Sequence, residues 1–128
     1  MAEIDSTTAF DLIAVPGGMP GASNIAACAP FMEMLKGHVE AGKVYGAICA
    51  APAIVLLPNG LLPEGAPATC HPGFADKLPA CSEDRVVTAG KLVTSRGPGT
   101  AIEFALALIT QVLGEEKAAA VGGPMLVK

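Results

Sequence analysis

A cysteine set among small residues, in Tyr45-Gly46-Ala47-Ile48-Cys49-Ala50-Ala51-Pro52, is the foremost candidate for chemistry in the sequence. The thiolate, not the thiol, is the attacking species, so such a residue needs a helix N-terminus, a histidine or a charged neighbour to lower its pKa. Cys49 stands between an apolar run and a predicted helix. Gly46-Ala47 before it and Ala50-Ala51 after it suit a strained strand-to-helix turn where bulky side chains would clash. Two further segments hold chemistry-bearing groups at comparable positions, Pro16-Gly17-Gly18 and Cys70-His71-Pro72. The backbone N–H groups of Gly18 and Ala50 would form an oxyanion-stabilising pair, and His71 would sit on the same sheet edge. Each has a bland alternative: a small buried hydrophobe for Cys49, a surface or capping group for His71. Cys28 and Cys81 read as structural or incidental, and His38 as a solvated helix residue. Cys49, Cys70 and His71 lack the paired spacing of a metal site, so no metal is expected.

The elements that must position these groups alternate along the chain. Phe10 to Val15 is a short apolar run stopped by Pro16-Gly17-Gly18, as in a parallel strand buried on both faces. Asn24 to Ala41 carries Ile25, Phe31, Met32, Leu35 and Val39 at helical spacing, with Pro30 starting the main segment and Gly42 closing it. Lys43 to Ile48 is a second strand, and Ala53 to Leu57 a helix ended by Pro58-Asn59-Gly60. Ala66 to Cys70 reads as a short third strand, followed from His71-Pro72 to Leu78 by a loop or short helix. Arg85 to Thr88 and Leu92 to Ser95 flank Ala89-Gly90 as a hairpin. The clearest helix is Ala101 to Leu113, with Thr100 and Glu103 as a capping box, Ile102, Leu106, Ile109 and Leu113 on one face, and Gly114 ending it. Strands alternating with helices imply a mostly parallel sheet covered on both faces, with ligands at the carboxyl ends of the strands. The three chemical segments all follow strands and are expected to share one pocket.

Composition bounds the rest. The sequence has 128 residues, 52% hydrophobic and 16% charged, which suits one compact domain spanning 1–128 with an aliphatic core. A net charge of -4 without a basic cluster argues against a nucleic-acid partner. No apolar run reaches the roughly 18 residues of a membrane span, and Met1-Ala2-Glu3-Ile4-Asp5-Ser6 is acidic where a signal peptide is basic and then apolar. Four cysteines in an apolar chain of this size fit free thiols in a reducing compartment, so a cytoplasmic location is expected.

Val15-Pro16-Gly17-Gly18, Ala47-Ile48-Cys49-Ala50, His71-Pro72 and Thr94-Ser95-Arg96-Gly97-Pro98-Gly99-Thr100 occur in that order. Together they make the chain resemble the ThiJ/PfpI superfamily, and within it the glyoxalase III-like deglycase branch that contains the Parkinson-disease protein. The resemblance runs from Phe10 to Lys128 and includes Glu103-Phe104-Ala105-Leu106-Ala107. It implies a flavodoxin-like three-layer sandwich, Cys49 as nucleophile with His71 beside it, and Gly17, Gly18 and Ala50 facing the substrate oxygen. It implies attack on a 2-oxoaldehyde such as methylglyoxal, or on its adducts, and hydrolysis to a 2-hydroxy acid without glutathione, cofactor or metal, in a homodimer. Arg96 would fix the loop near the pocket or dimer surface, and Glu103 would pair with Arg85 across the final strands.

Members of this family begin with a strand, helix and strand of about 50 to 60 residues before the equivalent of Phe10, the size of one βαβ unit with extra loop. The chain reads as a fragment without them. The Cys49 strand is then expected to present an unpaired edge. The family's glutamate, which in protonated form hydrogen-bonds the thiolate, belongs to that segment, and none of Glu3, Glu33, Glu40 or Glu64 matches its motif. A complementary N-terminal segment is therefore an expected partner. The alternative function is an oxidative-stress sensor or chaperone-like binding protein, in which Cys49 is oxidised to sulfinic acid and exposed apolar surface meets clients.

Overall fold

A computed structural model describes residues 9–126. The acidic start Met1 to Ser6, with Glu3, lies outside the described residues. Four strands form one sheet: β1 (Leu12–Val15), β2 (Val44–Ile48), β3 (Val86–Ala89) and β4 (Leu92–Ser95). Their order is β1-β2-β4-β3. β1 with β2 and β2 with β4 run parallel, while β3 and β4 make the expected antiparallel hairpin. Its turn is Gly90-Lys91, with Gly90 at φ 61, the positive value a two-residue hairpin turn requires. β2 is thus paired on both sides. The expectation that the Cys49 strand would be the open edge is corrected: β1, paired only to β2 among the described residues, holds that place.

The alternation of side chains along each strand makes the layers. Ile13, Val15, Tyr45, Ala47 and Leu92 face one way, into a core completed by Met32, Leu35, Val55 and Leu56. Val44 and Val93 face the other way, against Phe104 and Leu108. Gly46 lies on this second face, where a Cβ would stand 3.0 Å from both Phe104 and Leu108, so the helix packs directly on its backbone.

The helical layers depart from the sequence pattern where prolines intervene. Asn24 to Ala41 lies in two helices, α1 (Gly21–Ala26) and α2 (Ala29–Glu40), not one. A continuous helix would drive the Pro30 ring into the Ala26 carbonyl, so the chain breaks at Ala27-Cys28 and Pro30 takes the first turn of α2. The helix expected at Ala53 to Leu57 forms as a π-helical turn, Pro52–Leu56, tightening into a 3₁₀ turn, Leu57–Asn59. Pro58 cannot donate to the ladder, and Asn59 Nδ2 supplies Val55 O with a donor at 2.8 Å. Between Pro67 and Pro72 the expected third strand reduces to a single bridge pairing Ala68 with Cys81.

α3 (Ala101–Leu113) has the expected limits and ends at Gly114, φ 92. Its inward face is not the expected one: Phe104 and Leu108 are buried, while Ile102 and Leu113 are exposed. The capping box does not form either. Thr100 Oγ1 instead meets Ser95 Oγ at 2.6 Å and accepts from the N–H groups of Arg96 and Gly97. Glu103 turns outward to Arg85, as the resemblance implies, taking bonds from Nε at 3.0 Å and Nη2 at 2.8 Å. That partner holds the Glu103 carboxyl below its ordinary range. A further helix, α4 (Glu115–Gly122), packs Gly122 against Leu106, which explains why Leu106 does not face the sheet.

His38, expected in solvent, is buried in the last turn of α2, where Nε2 donates to Val44 O at 2.6 Å. The bond ties α2 to the first residue of β2, and that tie is what its removal loses. His38→Leu is expected to cost about 0.5–1.5 kcal/mol of stability, read as a lower urea midpoint with an unchanged slope.

Candidate active site

Cys49 follows β2 directly, at φ 65, a left-handed conformation that a residue with a Cβ adopts at a cost. Three contacts hold it there. Its N–H donates to Ser95 O at 3.0 Å, at the end of β4. Its carbonyl accepts from the His71 N–H at 2.8 Å. On the third side, a Cβ placed on Gly17 would lie 2.5 Å from Cys49 Cβ, 2.8 Å from Ile48 O and 3.0 Å from Ala50 N. Only glycine lets the loop after β1 pass this close. Small residues around Cys49 are therefore a packing requirement, and Ala50 and Ala51 are fully buried behind it.

The carboxyl-end segments of β1, β2 and β4 and the His71 loop thus meet at the backbone of one cysteine. Gly18 adopts φ 85, and its carbonyl accepts from Ala22 N–H at 2.8 Å, which fixes the turn into α1. The N–H groups of Gly18 and Ala50 donate to no backbone carbonyl among the described residues. Cys49 is a half-buried free thiol, and Pro16, Gly18 and His71 of the neighbouring loops are exposed. Cavities of about 610, 410, 340 and 310 Å³ have none of Gly17, Gly18, Cys49, Ala50 or His71 in their walls.

His71 is brought to Cys49 by its backbone. Its ring turns to its own chain, Nδ1 accepting from Gly73 N–H at 3.0 Å as the cap of the 3₁₀ turn Pro72–Lys77. An accepting Nδ1 leaves the proton of the neutral ring on Nε2. Arg96 anchors the loop, with Nη1 donating to Glu83 O at 3.2 Å and Nε reaching Cys70 O at 3.5 Å.

A set of buried hydroxyls, which sequence reasoning did not single out as such, holds these loops in register. Thr94 Oγ1 accepts from Thr69 N–H at 3.0 Å, Thr69 Oγ1 donates to Ser82 O at 2.7 Å, and Ser95 Oγ donates to Arg85 O at 2.6 Å. Thr69, Thr94 and Ser95 are all fully buried. Their signal in the sequence was Thr94-Ser95 at the end of an apolar strand, where two hydroxyls in a core need acceptors. The pairing of Cys70 with Cys81 was also missed: Cys70 is fully buried and its sulfur lies 4.0 Å from that of Cys81. Burial and the neighbouring Cys81 push the Cys70 thiol up to about 12.

Among the described residues no group of three or more His, Cys, Asp or Glu is placed to hold a metal ion. No helix there is long and apolar enough to cross a membrane.

A parallel-centred α/β sandwich with a strained cysteine at the carboxyl end of its central strand defines the class of protein. The particular family follows from its sequence: residues 1–111 match the DJ-1/PfpI family, and the chain belongs to it. The fold is the flavodoxin-like fold of that family. The chain is 48% identical over 122 residues to protein DJ-1 homolog B of Arabidopsis thaliana, with 93% of the chain and 28% of that protein aligned. It is 44% identical to the glutathione-independent glyoxalase DJR-1.2 of Caenorhabditis elegans, covering 84% of the chain and 58% of that protein. The solved structure of oxidized Toxoplasma gondii DJ-1 superposes with a TM-score of 0.90 at 44% identity, over 94% of the chain and 66% of that structure. The chain therefore spans less than a third of the plant relative and under two thirds of the nematode one.

Proposed function

We propose that this chain carries the nucleophile of a glutathione-independent glyoxalase or deglycase acting on methylglyoxal-type 2-oxoaldehydes or their adducts. The observation that carries the reading is Cys49 at φ 65, pinned on three sides at the end of β2. A strained non-glycine residue persists only where its surroundings over-determine it, and such residues cluster at functional sites. The name of the nematode relative supports the reaction.

The Cys49 thiolate attacks the aldehyde carbon, whose oxygen takes the electron pair and then a proton, giving a hemithioacetal. A proton moves from that carbon to the neighbouring carbonyl carbon and the hydroxyl proton passes to the neighbouring oxygen, which leaves a thioester of the 2-hydroxy acid. Water then attacks the thioester and expels the thiolate. Methylglyoxal and water become lactate and a proton, with no net oxidation. Gly18 and Ala50 N–H groups, free of backbone acceptors, are suited to the developing oxyanion. Gly17 allows their close approach. Arg96 holds the loop that bears on His71, and the Nε2–H of His71 is a candidate proton donor.

The proton transfers at carbon require an acid-base group, which the family resemblance assigns to a segment before Phe10. Two observations favour such a segment as a partner: β1 lies at the sheet edge, and a cavity of about 340 Å³ runs beside it, lined by Ala14, Ile25, Cys28 and Phe31. Lactate formed from methylglyoxal is the test, by the 128-residue chain alone and by the chain mixed with the strand-helix-strand segment of a relative. Turnover is expected in the mixture. Full activity of the chain alone would overturn the dependence on the segment, and none in either would overturn the glyoxalase reading. Selective oxidation of Cys49 by dilute peroxide without turnover would instead favour the sensor, a reading that its half-buried free thiol keeps in view.

A further inference from the structure

Apart from Cys49, the two sulfurs of Cys70 and Cys81 lie 4.0 Å apart. We infer that Cys70 and Cys81 form a second oxidisable site, a dithiol that hydroperoxides convert to an intramolecular disulfide. The inference does not depend on the chemistry of Cys49.

Three observations carry it. A disulfide bond is about 2 Å long, and its cysteines need their arms already close. Here they are, because Ala68 pairs with Cys81, Ser82 N–H donates to Ala68 O at 2.8 Å, and Thr69 Oγ1 donates to Ser82 O at 2.7 Å. The sulfurs can meet by side-chain rotation while the arms stay joined. Second, the two thiols differ in access. Cys70 has no exposed surface, whereas Cys81 is half-buried and lines the cavity of about 610 Å³ together with Leu57, Leu62, Ala68 and Leu78. A hydroperoxide entering that cavity meets Cys81 first. Third, burial holds the Cys70 thiol protonated, with its pKa at about 12, which suits the resolving partner and not the attacking one.

The steps balance. The Cys81 thiolate attacks one oxygen of the hydroperoxide and the O–O bond breaks. The departing oxygen takes the electron pair and a proton and leaves as water or an alcohol. Cys81 is then a sulfenic acid. The Cys70 sulfur attacks the Cys81 sulfur, the S–O bond breaks, and hydroxide leaves as water with the proton from Cys70. Two thiols lose two electrons, and the hydroperoxide gains them.

The site bears on Cys49 through the chain. Cys70 precedes His71, whose N–H holds the Cys49 carbonyl, and Arg96 Nε reaches the Cys70 carbonyl. Oxidation of the pair would therefore constrain the loop behind the candidate nucleophile.

Lys77 stands between the two cysteines, so trypsin separates them unless a disulfide joins the pieces. Purified native protein carrying Cys28→Ser and Cys49→Ser, which leaves Cys70 and Cys81 as its thiols, is treated with hydrogen peroxide, alkylated and digested without reductant. The expected product joins the 44–77 and 78–85 peptides in monomeric protein and separates on reduction. Cys70→Ser in the same background is expected to leave a sulfenic acid on Cys81 that dimedone traps. The proposal is overturned if both thiols stay open to alkylation at peroxide levels that oxidise Cys49 in the unmodified protein. It is equally overturned if Cys81 proceeds to sulfinic acid with Cys70 still a thiol, or if the cross-links join separate molecules. The mapping experiment leaves both cysteines in place, so a folding defect of Cys70→Ser does not alter what it measures.

Discussion

Cys49→Gly is expected to give a protein at least as stable as the parent and without turnover, whereas Cys49→Ser is expected to lose turnover with little change in stability. The left-handed conformation at Cys49, φ 65, costs a side-chain-bearing residue about 1–2 kcal/mol. Glycine removes that penalty and adds an unfolded-chain entropy cost of about 0.5–1 kcal/mol. The first equals or exceeds the second, so the net runs from no change to a gain of about 1.5 kcal/mol. Serine keeps the Cβ and therefore the strain, and it replaces the thiol by a hydroxyl that is a far weaker nucleophile near neutral pH. The diagnostic result is the pair of measurements together: lactate formation from methylglyoxal, in the mixture with the strand-helix-strand segment, falling to background in both variants, and an unfolding midpoint that holds or rises only in Cys49→Gly. A purely structural cysteine at this position predicts no loss of activity in either. A glycine variant that is markedly less stable would show that the thiol, and not the turn, is what the packing requires.

That strain could not be seen in the sequence, yet the residue could. Cys49 stood out because Gly46, Ala47, Ala50 and Ala51 deny the neighbourhood any bulk, and the close approach of Gly17 supplies the reason. A mostly parallel sheet was legible because strands alternate with helices along the chain, whereas the parallel pairing of β2 with β4, the second strand of the hairpin, was not. Local pattern failed where the deciding partner is distant. α3 is apolar on nearly every side, so periodicity could not tell that Phe104 and Leu108 face Val44 and Val93 while Leu106 turns to Gly122. His38 looked like a solvated residue because its acceptor, Val44 O, belongs to the next strand. Cys70 and Cys81 are brought together by Thr69 and Ser82, polar residues whose bonds cross between loops. The sequence put His71 on the sheet edge of Cys49 for its imidazole, whereas what joins the two residues is a backbone bond, and the imidazole caps its own turn.

Gly17→Ala is expected to be the most damaging single-methyl change in the chain, and Gly18→Ala, one residue on, a different kind of defect. At Gly17 the added carbon would lie 2.5 Å from Cys49 Cβ, 2.8 Å from Ile48 O and 3.0 Å from Ala50 N. Ordinary carbon contacts are about 3.5–4.0 Å. Two of the three atoms are backbone, and the third is the first carbon of a residue held at φ 65, so none can swing aside. The turn itself must move, at a cost of about 1–3 kcal/mol for overpacking. A displacement near 1 Å at a reacting group also costs about a hundredfold in rate. At Gly18 a Cβ meets nothing within 4 Å, and the penalty is the left-handed backbone alone, φ 85, about 1–2 kcal/mol. The two variants should therefore have comparable urea midpoints and very different rates. In the mixture with the strand-helix-strand segment Gly17→Ala loses most lactate formation, and the reactivity of its Cys49 towards iodoacetamide shifts, while Gly18→Ala keeps the parent's thiol reactivity. Equal rates in the two would mean that the contact between Gly17 and Cys49 serves only the packing of the sheet edge, and that the chemistry tolerates a displaced thiol.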